Sequence, residues 1–334
     1  MKFPFYEGRG KKLDDSAPVT LPISRRSQLL KPENYIADQG LKDACNVALL
    51  LGQPLLLTGE PGTGKTQFAA SLAWELGFEP PLKFEIKSTS TARDLFYTYD
   101  ALKRFQDIQS KTSSSSELLH YITYQALGLA ILKTKEPSEV KSLLSAEFAH
   151  VGKSRSVVLI DEMDKAPRDF PNDLLNELEH LYFRIPELGN VKIEADPTLQ
   201  PIVIITSNSE KDLPEAFLRR CIYYNIPFPE PDRLKEIVSN HLDLASDSKF
   251  LQDAIALFER LRKSGLRKKP ATAELLSWLL ALQGFKTEPE IVLTETNIRQ
   301  TLSSLIKTTE DQEKAQEIVK QWIKEQSNGS ANNP

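Results

Sequence analysis

Cysteine is nearly absent: Cys45 and Cys221 are the only two in 334 residues, and they form no C-x-x-C pair. Each sits in an apolar-leaning segment, which favours small buried hydrophobes over a disulfide. Histidine is scarce too. His120, His150, His180 and His241 never fall at H-x-x-x-H spacing, so they read as solvated surface residues and no structural metal is expected. No apolar run approaches the roughly 18 residues of a membrane span. The opening MKFPFYEGRGKKL carries lysines but no apolar secretion core, so a cytoplasmic location without membrane contact is expected. Positive charge is not in excess: 42 Lys and Arg face 46 Asp and Glu, net −4. The balance builds in no overall attraction to nucleic acid, although a local basic groove is compatible with it. No internal repeat is present.

What remains is an ordinary globular composition, 40% hydrophobic and 26% charged, in a chain long enough for two cores. Five apolar runs suit buried strands: 54–58, 82–86, 157–160, 201–206 and 222–226. Helical patterns alternate with them, which predicts a mainly parallel sheet with helices on both faces. After the fifth run, PFPEPD places three prolines in five residues, a stiff break and the expected domain boundary. Beyond it, five helical segments predict an all-helical second domain. KTSSSSE at 111–117 reads as a flexible loop, and the polar residues 326–334 as a disordered tail.

LLLTGEPGTGKTQFAASLAWELG, residues 55–77, holds Gly59, Gly64, Lys65 and Thr66 in the pattern G-x-x-x-x-G-K-[ST]. A chain of this length matches by chance on the order of 1% of the time. An apolar strand precedes the loop, and Phe68, Ala69, Leu72, Ala73 and Leu76 mark a helical stripe after it. In that setting the backbone of Gly59, Glu60, Pro61, Gly62, Thr63 and Gly64, leading into Lys65, Thr66 and Gln67, turns N–H groups around phosphate oxygens at a helix N-terminus. Lys65 is expected at the β- and γ-phosphates and Thr66 at Mg²⁺.

Hydrolysis needs more than a phosphate cradle. Asp161 and Glu162 follow VVLI at the carboxyl end of a buried strand, the edge where ligands of such sheets sit. Asp161 is the candidate Mg²⁺ acid and Glu162 the candidate for orienting or deprotonating water. Asn208 ends the strand PIVIITSN, where its amide suits a γ-phosphate or a water. Arg219 and Arg220 close LPEAFLRRC. They read equally as a solvated basic helix end or as an arginine finger for a neighbouring subunit's nucleotide. The chain has no Asn-Lys-x-Asp guanine reader, which favours ATP.

GEPGTGKT, VVLIDEMDKAPRDFPNDLLNELE, IITSN and LPEAFLRRC, in this order and followed by helices, resemble an AAA+ ATPase of the MoxR-like branch over roughly residues 30–325. The resemblance implies an α/β P-loop fold: a five-stranded parallel sheet sandwiched by helices, with a C-terminal helical lid. The implied division is an N-terminal extension at 1–30, a nucleotide-binding domain at 31–228 and a lid at 229–325. It implies ATP and Mg²⁺ as cofactors and a homo-oligomeric, usually hexameric, ring. The action implied is chaperone-like remodelling of a protein client or of a von Willebrand factor A domain partner, with nucleic acid not expected. Position by position, it puts Lys65 and Thr66 in Walker A, Asp161 and Glu162 in Walker B, and Asn208 in sensor 1. It favours Arg220 as the finger, and Tyr35 and Ile36 for the adenine pocket. KSTSTARDLFYTYDALKRF looks like this branch's helix-two insert, and RIPELGNVKIEADPTLQ like its hairpin before sensor 1.

One departure is plain. Where relatives carry a sensor 2 arginine, PATAE has Ala273, with Arg267, Lys268 and Lys269 nearby as candidate substitutes or as an ordinary solvated basic loop. Two other activities are compatible with the motifs: a nucleic-acid-directed motor serving a nuclease, suggested by RLRKSGLRKK, and a nucleotide-gated scaffold, opposed by Glu162.

Overall fold

Short segments carrying leucine, β-branched or aromatic residues form the strands. In the computed structural model, which describes residues 5, 6, 8, 21–109, 118–144, 152–209, 213–284 and 292–331, five of them pair into one parallel sheet. For Arg26 and for 328–331 only the backbone is described. The loop expected at 111–117, His150 and residues 332–334 of the tail lie outside these residues. By contacts the chain divides into Tyr35–Phe228 and a second unit made of Met1–Asn34 with Pro229–Pro334.

In the first unit the strands are β1 (Leu55–Thr58), β2 (Leu82–Glu85), β3 (Tyr97–Tyr99), β4 (Ile122–Tyr124), β5 (Val157–Asp161), β6 (Tyr182–Ile185), β7 (Val191–Glu194), β8 (Ile202–Thr206) and β9 (Ile222–Asn225). The main sheet runs β2-β5-β8-β1-β9, all parallel. Two antiparallel pairs, β3–β4 and β6–β7, stand apart from it. The helices are α1 (Gln39–Leu51), α2 (Lys65–Glu75), α3 (Ala101–Gln109), α4 (Ala126–Lys133), α5 (Pro137–Val140), α6 (Phe170–Asp173), α7 (Leu175–His180) and α8 (Glu215–Leu218).

The period of two along each strand divides its side chains between two cores. Leu56, Val158, Ile160, Val203 and Ile205 face one, with Leu127 and Ile131 of α4. Leu55, Leu57, Val157, Leu159 and Ile204 face the other, with Leu41 and Cys45 of α1 and Phe68 and Leu72 of α2. Both faces of the sheet are therefore covered, as all-parallel sheets require. On α4, Gly128 is held by close approach: a Cβ there would lie 2.0 Å from the Phe96 carbonyl oxygen. The two hairpins meet through Phe183, which stacks on Phe96 at 5.3 Å and sits near Tyr97 and Tyr124. Glu187 accepts a 2.8 Å bond from the Tyr97 hydroxyl.

The second unit is helical: α9 (Pro231–Leu242), α10 (Lys249–Lys263), α11 (Thr272–Gln283), α12 (Glu295–Leu305) and α13 (Thr309–Ala331). Its core includes Trp278, Phe258, Leu261 and Ile298, and the Trp278 indole N–H donates to Thr301 Oγ1 at 2.9 Å. Three expectations are corrected here. Residues 26–30 of the extension expected at 1–30 do not stand apart, because they form a short 3₁₀ turn, with Leu29 buried, that packs with α9. Helix α13 continues past 326, its preceding turn anchored by buried Trp322 and the Arg260–Glu325 ion pair. His241 is not solvated: it shares the buried face of α9 with Leu234, Val238 and Leu242. Burial pushes its imidazole below the ordinary histidine value, against its bond to the Ile237 carbonyl.

Both cysteines are free thiols, and Cys221 is only half-buried. Burial pushes Cys45 up to about 11, with Glu75 adding to the shift, and Cys221 up to about 12.

Candidate nucleotide site

β1 ends at Thr58 and α2 begins at Lys65, so the glycine-rich loop spans the carboxyl end of a buried strand and a helix N-terminus. Gly59, Gly62 and Gly64 hold φ of 138°, 79° and 90°, the region that only glycine enters without cost. At Gly59 a side chain is also blocked, since a Cβ would stand 2.6 Å from the Ile226 carbonyl oxygen. Thr63 Oγ1 closes the loop on the Glu60 carbonyl at 2.9 Å. Pro61 and Gly62 face solvent, and Gln67 is half-buried on the first turn of α2.

Lys65 is buried, and its ammonium donates to the carbonyls of Gly59 at 2.8 Å and Glu60 at 3.0 Å. Burial holds its pKa below the ordinary lysine value against the pull of Asp164 and Asp161. A cation desolvated inside a loop of N–H groups is prepared for an anion that brings its own charge.

Asp161 is the electrostatic centre of the site. Its Oδ1 accepts from Thr66 Oγ1 at 3.0 Å and from Thr206 Oγ1 at 2.6 Å, and its Oδ2 meets Lys83 Nζ at 2.8 Å. Burial works to raise its pKa, but Lys83 and the Thr206 and Thr66 hydroxyls outweigh that and hold it below the usual carboxylate range. Glu162 follows with φ 64° and ψ 50°, in the left-handed region. Its backbone N–H donates to Thr206 Oγ1 at 3.0 Å, and its carboxylate takes Lys165 Nζ at 2.5 Å.

Asn208 is exposed beyond the end of β8 and turned onto Asp164. Its backbone N–H reaches Asp164 Oδ1 at 2.9 Å and its amide reaches Oδ2 at 3.2 Å. Tyr35 lies against the loop: its ring is 3.0 Å from where a Gly64 Cβ would stand and 5.9 Å from the Phe68 ring. Ile36 beside it is half-buried. Arg219 and Arg220 follow α8 and engage different acids. Arg219 pairs with Glu215 on its own helix, and Arg220 Nε reaches Glu179 of α7 at 3.0 Å.

Ala273 is exposed in the first turn of α11, while the backbone N–H groups of Arg267 and Lys268 both donate to Asp311. Sequence reasoning missed Lys83, Thr206, Asp164 and Lys165. The first two come from strands flanking β5, a relation that no spacing along the chain encodes. Asp164 and Lys165 stood in the quoted DEMDK run, but their partners became visible only with the fold.

The donor set suits Mg²⁺ with a nucleotide. Thr66 and Asp161 put a hydroxyl and a carboxylate oxygen 3.0 Å apart, two hard ligands of the kind that hold this ion once phosphates and waters supply the rest. Among the described residues, no group of three or more His, Cys, Asp or Glu could hold a metal by itself. No helix of the described residues is long and apolar enough to cross a membrane. Residues 54–221 match the family model described as AAA domain, dynein-related subfamily. That segment contains the candidate phosphate, metal, water and finger residues, while Tyr35, Ile36, Arg267, Lys268 and Lys269 lie outside it. No curated protein matches the chain.

Proposed function

This chain belongs to the AAA domain family, dynein-related subfamily, and from that premise we propose that it hydrolyses ATP with Mg²⁺ as a MoxR-like ring and uses the cycle to remodel a partner protein. The observation that carries the hydrolytic part is the junction of Thr66 with Asp161 at 3.0 Å. It joins the phosphate loop of β1 to the acids of β5 across the intervening strand β8.

The residues divide the work by position. The loop N–H groups and Lys65 bind the phosphates. Thr66 and Asp161 hold Mg²⁺, which when bound neutralises charge on the β- and γ-oxygens. Glu162 orients or deprotonates the attacking water, and Asn208 contacts water or γ-phosphate once it leaves Asp164. Arg220 serves a neighbouring subunit's site. Support for a protein target over nucleic acid comes from the basic stretch at 260–269. There Arg260 pairs with Glu325, Lys263 with Glu259, and Arg262 donates to the Pro270 carbonyl.

Two variants test the division. Lys65→Ala should abolish binding of a fluorescent ATP analogue, while Glu162→Gln should keep binding and lose phosphate release. Equal loss of binding in both would overturn the assignment. Light scattering of Glu162→Gln with ATP should show a ring, and full specific activity of a strictly monomeric wild type would refute it.

A further inference from the structure

Among the described residues, Lys83 is the one cation paired with the proposed metal acid, and no step of the proposed hydrolysis uses it. β2 pairs with β5 so that Lys83 lies opposite Leu159 and Glu85 opposite Asp161. Lys83 therefore starts two residues short of Asp161, about 6–7 Å along a parallel strand, a distance its four-carbon stem covers. Its ammonium stops 2.8 Å from Oδ2, the oxygen that the Thr66 and Thr206 hydroxyls leave open.

We propose that Lys83 is a specificity-determining residue for the metal: it occupies Asp161 in the nucleotide-free protein and gives way only to Mg²⁺ that arrives already chelated by nucleotide. The inference rests on the assignment of Asp161 as the Mg²⁺ acid. A hydrated Mg²⁺ dehydrates reluctantly and finds one carboxylate and one hydroxyl here, with a tethered cation already on that carboxylate. Nucleotide-bound Mg²⁺ brings its own phosphate ligands and needs the protein for fewer of them. Its double charge then repels an ammonium at the same oxygen.

Lys83 has somewhere to go. Its side chain is 42% accessible, and Glu85 Oε2 stands 3.7 Å from the ammonium, with its own side chain 61% accessible. An arginine at this position would grip the carboxylate through a planar fork and leave less readily, whereas a single ammonium on a flexible stem releases one contact. The charge balance points the same way. Glu85, Asp161, Glu162 and Asp164 gather here against Lys83, Lys65 and Lys165, and Lys65 and Lys165 are engaged with the loop carbonyls and Glu162. Removing Lys83 leaves the acids in excess around the buried Asp161 carboxylate.

The experiment uses Mn²⁺ as a paramagnetic stand-in for Mg²⁺ and the full chain without nucleotide. Free-Mn²⁺ titration followed by electron paramagnetic resonance should show about tenfold or more tighter binding in Lys83→Met than in wild type. Lys83→Arg, which keeps the charge, should bind free Mn²⁺ no tighter than wild type, and Lys83→Met with Asp161→Asn should lose the gain. Nucleotide-free Lys83→Met should also unfold at lower temperature, and Mn²⁺ alone should restore it. If Lys83→Met folds poorly, Lys83→Gln serves in the same titration. Unchanged Mn²⁺ affinity in the neutral variants, or a gain that survives Asp161→Asn, overturns the proposal. The functional reading fails separately, if wild type binds no Mg²⁺-ATP analogue, because the Mn²⁺ comparison contains no nucleotide.

Discussion

Thr206→Val deletes one hydroxyl at constant shape, and two contacts depend on that hydroxyl. It donates to Asp161 Oδ1 at 2.6 Å and accepts the Glu162 backbone N–H at 3.0 Å, in a side chain only 2% accessible. The bond to the carboxylate is charge-assisted and contributes about 1.5–3 kcal/mol, and an orphaned buried N–H costs a further ~1–3 kcal/mol. The new methyl returns about 0.8 kcal/mol by burial. Thr206→Val should therefore lose about 2–5 kcal/mol in urea unfolding, while Thr206→Ser, which keeps the hydroxyl and gives up a methyl, should lose about 1 kcal/mol. Phosphate release should fall further than ATP binding, because the loop and Lys65 are untouched while Glu162 loses its backbone anchor. The refuting result is the opposite order of stability, with Val within about 0.5 kcal/mol of wild type and Ser the worse variant. That would make Thr206 a packing residue.

The remaining expectations concern a buried histidine and Arg220. The folded pKa of His241 lies below its unfolded value of 6.5, so the unfolded chain takes up the proton first and stability falls as pH drops below 6.5, by at most about 1.4 kcal/mol per pH unit. Urea unfolding between pH 5 and 8 should lose that contribution in His241→Gln, and an unchanged slope would refute the assignment. Arg220→Ala should lower ATP turnover by about 10³ or more with binding retained, and mixing it with Lys65→Ala should recover activity at mixed interfaces. No recovery in a mixture shown to co-assemble would count against a finger acting between subunits.

The three central strands of the main sheet, β1, β5 and β8, were legible because burial on both faces leaves them continuous runs of leucine and β-branched residues, while the edge strands β2 and β9 alternate apolar and exposed positions. β3 and β4 were not legible as strands. Each is three residues, YTY and ITY, and they pair across an insertion, so neither length nor alternation marks them. The burial of His241 was readable after all: Leu234, Val238, His241 and Leu242 fall at i, i+4, i+7 and i+8, a helical stripe that includes the imidazole. Lys83 could not be found that way, because it stands 78 positions before its partner Asp161, next to it only because the sheet order puts β2 beside β5.

That order also explains why the chemistry gathers at the end of β5. The strand has β2 on one side and β8 on the other, so its last residue is reached from both flanks, by Lys83 from β2 and Thr206 from β8. Continued as a strand, the chain would turn Glu162 to the opposite face from Asp161. Instead Glu162 enters the left-handed region at φ 64°, a conformation that costs a non-glycine residue on the order of 1–3 kcal/mol. The Thr206 hydroxyl, accepting its N–H, offsets part of that cost and is the same group that donates to Asp161. One hydroxyl thus ties the orientation of the proposed metal acid to the turn that aims the proposed base, so the Asp161 carboxylate and the Glu162 backbone share one hydrogen-bonding partner.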